Sequence, residues 1–239
     1  MRPHRALAIA ATLAGLAVLV LSATFIAIPM HTVEPLHGAY GDVPMVAFEL
    51  ADTPERLAAV IGRDPPDGAA AEIRRNMDDA NRLDFAYMAT YAAFIALSCA
   101  LAARVRGRPW LMAGVLLGPL AALFDVAENL ALLQLTKTGA DVPTVLAQLH
   151  VRTYGKWELL AVASALFAAG FAGGGALWKT LLAAAIAVAA LAAGVLGYLD
   201  PPRYGAMMLD TEAVVWLWQL AFAATVAFRR APPTDAAVS

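Results

Sequence analysis

LMAGVLLGPLAALFDVAENLALLQL, residues 111–135, reads as a membrane-crossing helix that carries two acids and an amide. A helix needs roughly 20 mainly apolar residues to cross the hydrocarbon core of a bilayer, and this run supplies them. Asp125, Glu128 and Asn129 stand at i, i+3 and i+4, so a helix gathers all three on one face. An Asp at membrane depth costs about 2.5–3.5 kcal/mol on an insertion scale, so such residues turn toward a partner or a watery cavity. The stretch therefore sets both the fold class and the place to look for function.

The rest of the chain agrees with a membrane bundle. It is 61% hydrophobic and 15% charged, with a mean hydropathy of +0.65, well outside the range of a soluble domain. Apolar runs suggest six spans, at about 6–28, 85–105, 111–135, 159–177, 181–199 and 213–228. The expectation is an all-α integral membrane bundle of about six helices with a small extracytoplasmic cap. The first run exceeds a signal-peptide core and has no clear small-x-small cleavage site after Ile28, so it reads as a retained anchor. A net charge of −2 and the lack of a basic patch interleaved with aromatics argue against a nucleic-acid partner. The lone Cys99 excludes a disulfide framework within the chain. Abundant alanine and arginine in place of lysine suggest a GC-rich bacterial source.

Flanking charge gives an orientation. Arg2 and Arg5 precede the first span, and no Lys or Arg follows it until Arg56, which places the N-terminus in the cytoplasm. Six spans return Arg229 and Arg230 to the same side, together with Arg104, Arg106, Arg108 and Lys179. Apart from Asp235, every acid then falls in an outer loop or within a span. Trp110 and Trp178 mark the inner interface and Trp157 the outer one. The expected location is the bacterial inner (plasma) membrane, both termini cytoplasmic.

The largest loop, 31–83, lies outside in this topology. Thr53-Pro54-Glu55 provides a cap, a first-turn proline and an acid, and Gly62 a stop, which predicts a short helix from 54 to 61. Val46, Phe48 and Leu50 alternate with Ala47 and Glu49, a weak strand signal. A further helix begins near Gly68 and runs into the second span. So few large apolar residues cannot form a core of their own, which predicts a cap resting on the bundle. The fourth and fifth spans contain Gly170, Gly173, Gly174, Gly175, Gly194 and Gly197, the signature of close helix packing, with a transporter hinge as the alternative.

Polar residues concentrate at the outer level. Asp84, Tyr87 and Tyr91 share one helix face; His150, Arg152, Tyr154, Lys156 and Glu158 precede the fourth span; Asp200, Arg203, Asp210 and Glu212 flank the last two. Three readings of Asp125-x-x-Glu128-Asn129 compete. In the structural one, the acids pair with Lys156 or Arg152 and Asn129 bridges helices. In the catalytic one, Asp125 and Glu128 divide acid and base roles. Asp84 would then join Asp125 and Glu128 as oxygen ligands of a divalent cation. Tyr87, Tyr91, Asn129, Arg152 and Lys156 would line the ligand site, open to a lipid or lipid-linked substrate from the bilayer. In the third reading the acids relay protons or cations, although no charge continues the path inward and no inverted repeat is visible. His4, His31, His37 and His150 show no zinc-protease spacing, and no P-loop, Rossmann fingerprint or G-x-S-x-G elbow occurs. Ser98 and Cys99 read as helix packing, and Met207 and Met208 are too few for a copper site.

Leu83-Asp84-Phe85-Ala86-Tyr87-Met88-Ala89-Thr90-Tyr91, with Phe124-Asp125-Val126-Ala127-Glu128-Asn129, resembles a family of bacterial multipass membrane proteins of uncharacterised activity. The outer-loop stretch Val46-Ala47-Phe48-Glu49-Leu50-Ala51 fits the same pattern. The resemblance covers the second and third spans and part of the loop. It implies a shared fold and treats Asp84, Asp125, Glu128 and Asn129 as one unit, but brings no activity, substrate or cofactor.

Overall fold

The computed structural model describes residues 4–173 and 176–229. Arg2, Arg230 and Asp235, used above for orientation, and Gly174 and Gly175 lie outside the described residues. The described chain is mainly helical, without a strand: α1 (Arg5–Ala27), α2 (Pro44–Glu49), α3 (Pro54–Ile61), α4 (Gly68–Arg106), α5 (Gly114–Leu135), α6 (Val142–Ala169), α7 (Leu177–Leu199) and α8 (Pro201–Phe228). Five units are long and apolar enough to cross a membrane: α1, α4, α5 with the 3-10 turn Pro109–Ala113 before it, α7 and α8. Their outward faces are apolar, as Leu13, Val20, Leu116, Leu123, Val188 and Leu199 are each more than 60% exposed. A soluble protein rarely presents so continuous an apolar coat; a lipid-facing bundle requires one.

The long helices pack in sequence, α4 on α5, α5 on α6, α6 on α7 and α7 on α8, while α1 closes the ring against α4 and α8. α6 is the polar exception and is absent from the apolar crossing helices because Arg152, Lys156 and Glu158 stand within it. Its course also corrects the fourth span drawn from sequence, 159–177. The helix starts 17 residues earlier, at Val142, on the Asp141 cap and Pro143, and stops at Ala169. Gly170 opens a turn that reaches the left-handed Gly173 (φ 77°), and the Arg108 guanidinium donates to the carbonyls of Ala169 and Ala172. α8 likewise begins well before 213, at Pro201, because Pro201 and Pro202 suit a first helical turn. Met207, Met208 and Glu212 are thus helical residues of α8 rather than loop residues.

The cap forms as its punctuation predicts, with one exception. α3 spans Pro54–Ile61, with Thr53 Oγ1 accepting from the Arg56 amide and Gly62 (φ 79°) ending it. The weak strand at 46–50 is instead α2, started by Pro44 and burying Val46, Ala47 and Phe48. These residues, with Leu50, Leu57, Val60 and Ile61, belong to the same apolar core as the long helices. A second anchor is Arg74 of α4, buried, which donates to the carbonyls of Ile61, Gly62, Arg63 and Thr136. That one guanidinium ties the end of α3 to α4 and to the end of α5.

Candidate functional site

α5 and α6 meet through buried polar side chains. Asp125 and Glu128 on α5 face Thr153 and Lys156 on α6, while Asn129 and Trp157, buried beside them, reach α4 and α2. The Lys156 ammonium lies 2.7 Å from Glu128 Oε2, 3.3 Å from Asp125 Oδ1 and 3.0 Å from Glu49 Oε2. Glu49 is the last residue of α2, so one ammonium joins the cap to two long helices. Every remaining oxygen of the two α5 acids has a partner: Tyr91 on α4 donates to Asp125 Oδ2 at 2.8 Å, and Thr153 donates to Glu128 Oε1 at 2.9 Å. The Trp157 indole N–H donates to Glu49 Oε2 at 3.3 Å.

Asp84 and Asn129 form an adjoining pair. The Asn129 amide donates to Asp84 Oδ2 at 2.8 Å and to the Asn81 carbonyl at 3.0 Å, which joins α5 to α4. Among the described residues Arg152 does not pair with an acid; its guanidinium donates to the Ala127 carbonyl and to Gln148 Oε1. Tyr87 turns away from Asp84, accepting from the Ser22 hydroxyl of α1 and packing among Phe25, Tyr91 and Trp216. His150 lies in an aromatic group with Tyr154 and Tyr198. Ser98 and Cys99 are fully buried, and Cys99 fills the space beside Gly114, as the packing reading expects.

The structure therefore brings Asp125, Glu128, Tyr91 and Lys156 into one centre, places Asp84 and Asn129 beside it, and leaves Arg152 and Tyr87 outside. Sequence reasoning missed Glu49, Thr153 and the role of Trp157. Glu49 stood in an alternating stretch taken for a strand, and Trp157 in an assumed interface belt. Pro44 as a helix start and the lone lysine near the α5 acids were the signals that point to Glu49.

The donor set does not suit the divalent cation considered for Asp84, Asp125 and Glu128. The space where the carboxylates converge is taken by the Lys156 ammonium, and Asp84 is directed to the Asn129 amide instead. Among the described residues, no group of three or more His, Cys, Asp or Glu side chains is arranged to hold a metal ion. Charge is nevertheless unbalanced, since three carboxylates share one ammonium. Like charges crowded together favour a retained proton. At Glu49, outside the long helices, burial raises the carboxyl pKa above its ordinary 4.5, and nearby Lys156 opposes that rise only in part.

A second buried acid lies further along. Glu212 of α8 is 4% exposed and accepts from the Ser164 hydroxyl of α6 at 2.6 Å. Gln219, two turns on, is fully buried. The sequence reading placed Glu212 at a flank; α8's early start carries it into the bundle.

Two clefts lie away from the Lys156 centre, one at the opposite, basic end of the bundle and the other over the α6 surface from Pro143 to Arg152. Comparison with known proteins brings no relative: no family model matches the chain, and no curated protein or solved structure is detectably similar to it.

Proposed function

We propose that this is a structural or accessory membrane protein whose acid–lysine centre locks an external cap onto a helical bundle and responds to external pH. The observation that carries the reading is the geometry at Lys156, where one ammonium within 3.3 Å of three carboxylates joins α2, α5 and α6. A site acting on a lipid or lipid-linked substrate would line an opening, whereas these groups close on one another. Buried charges satisfied in this way hold helices together where lipid offers no hydrophobic drive.

α6 serves as the sixth crossing. Its 28 residues span about 42 Å, more than the hydrocarbon core, and it packs along both α5 and α7. Its charged residues are tolerated because the bundle turns Lys156 inward. Six crossings place both termini on one side. Arg5, Arg104, Arg106, Arg108, Lys179 and Arg229 at that side make it cytoplasmic by the positive-inside rule, in a bacterial inner membrane.

The pH response follows from Glu49. Around it stand Lys156 and Trp157 from α6, Asp125 and Glu128 from α5, and Asp84 from α4. A carboxyl whose folded pKa is raised contributes stability at low pH and loses it as pH rises through the raised value. The cap should dock more firmly in mild acid than in mild alkali. The test is thermal unfolding of detergent-purified protein from pH 5 to 8 beside Glu49→Gln. The wild-type midpoint should fall as pH rises, and the variant should respond more weakly. Parallel profiles would refute a proton held at Glu49. Retention of a stoichiometric lipid-linked substrate that is lost in Glu128→Gln would restore the catalytic reading.

A further inference from the structure

At the end of the bundle opposite the cap, the last turn of α4, the turn after α6, the start of α7 and the middle of α8 enclose a cleft of about 420 Å³. Its mouth carries two cations. Arg106 lies 5.2 Å from the Phe171 ring centroid and the Lys179 ammonium 5.4 Å from that of Trp178. Among the described residues neither forms an ion pair and the buried Arg106 Nε meets no hydrogen-bond acceptor. The helices that build the cleft bring no acid to it among the described residues, since residues 85–124 and 159–199 contain no Asp or Glu. The deeper wall is apolar, built by Ile186 of α7 and Trp218 of α8. Trp178 is 62% exposed at the rim, where an interfacial aromatic would sit.

We propose that this cleft binds one anionic phospholipid. The diester phosphate would take the N–H groups of Arg106 and Lys179, and an acyl chain would follow Ile186 and Trp218 into the bilayer. Guanidinium and ammonium groups bind phosphate oxygens through short, charge-assisted hydrogen bonds, and basic pockets between membrane helices suit anionic headgroups. The choice of headgroup follows from the missing acids. A zwitterionic lipid would bring an ammonium with no carboxylate to receive it, beside two cations that repel it. An anionic glycerol headgroup brings hydroxyls and no positive charge.

Native mass spectrometry of the full chain with equal amounts of phosphatidylglycerol and phosphatidylethanolamine provides the test. The wild type should retain phosphatidylglycerol at least fivefold more, with one copy dominant. The double variant Arg106→Gln/Lys179→Gln should lose that preference. The double variant Arg104→Gln/Arg229→Gln removes as much charge from exposed positions at the same end and should keep it. Ile186→Trp, which leaves both cations and fills the apolar wall, should also reduce the adduct, so the proposal does not depend on one variant folding well. Equal retention of the two lipids by the wild type would overturn the proposal. So would the same loss in the Arg104/Arg229 variant, which would assign the effect to diffuse surface charge, or displacement of the lipid by equimolar inorganic phosphate.

Discussion

Around Lys156, side chains from α2, α4, α5 and α6 meet through ion pairs and hydrogen bonds; toward the basic end, Ala8, Ala11, Ala223 and Ala227 pack with Leu101 where α1, α4 and α8 converge. The two regions solve one problem differently. In lipid, helices gain nothing by hiding apolar surface from one another, so they associate by close packing or by polar bonds. The alanine seam, with Gly15 against Phe94 and Gly114 against Cys99, uses the first means. The Lys156 centre uses the second, and it adds ion pairs to the apolar burial that holds the short helix α2, which has too little surface to pack like a long helix. The polar region should therefore be sensitive to charge and pH, and the apolar region to volume alone.

The difference is open to measurement. Lys156→Met should have the largest effect, since it leaves three buried carboxylates without a cation; a loss of about 3–5 kcal/mol is expected in reversible unfolding, with cap residues 44–61 exchanging amide hydrogens faster. Glu128→Gln should cost about 3 kcal/mol by the same measurement, because it breaks the shortest of the three ion pairs. An unchanged midpoint there would show that Glu128 is kept for some other purpose than cohesion. Gly114→Val should cost about 1–3 kcal/mol, as its side chain would collide with Cys99, and the loss should be the same at pH 5 and pH 8. A pH-dependent loss at Gly114 would erase the distinction between the two regions. Ser164→Ala should cost about 1–2 kcal/mol by taking the hydroxyl donor from Glu212.

Much of this arrangement is legible in the sequence. The bounds of α3 follow from Thr53, Pro54 and Gly62, and the shared face of Asp125, Glu128 and Asn129 from helical spacing. A basic partner for them, Lys156 or Arg152, follows from the need to neutralise buried acids. What was hidden depends on tertiary context. Alternating apolar residues at 46–50 favour a strand locally, but Pro44 and burial against the bundle favour a helix that presents Glu49. Glycine at 170 is tolerated in membrane helices, so the end of α6 depends on Arg108 reaching across from another helix. Arg152 and Lys156 were equivalent candidates for the acids. They sit four residues apart, yet Lys156 meets the carboxylates and Arg152 a backbone carbonyl.

α4 continues without a break for 39 residues, about 58 Å, while the hydrocarbon core occupies only some 30 Å of that length. The outer turns of α4 and its membrane-crossing part thus form a single rigid strut. An antibody fragment gripping the exposed first turns of α4 would be held in fixed register with every membrane helix, and would make this small protein large enough to orient in single-particle images.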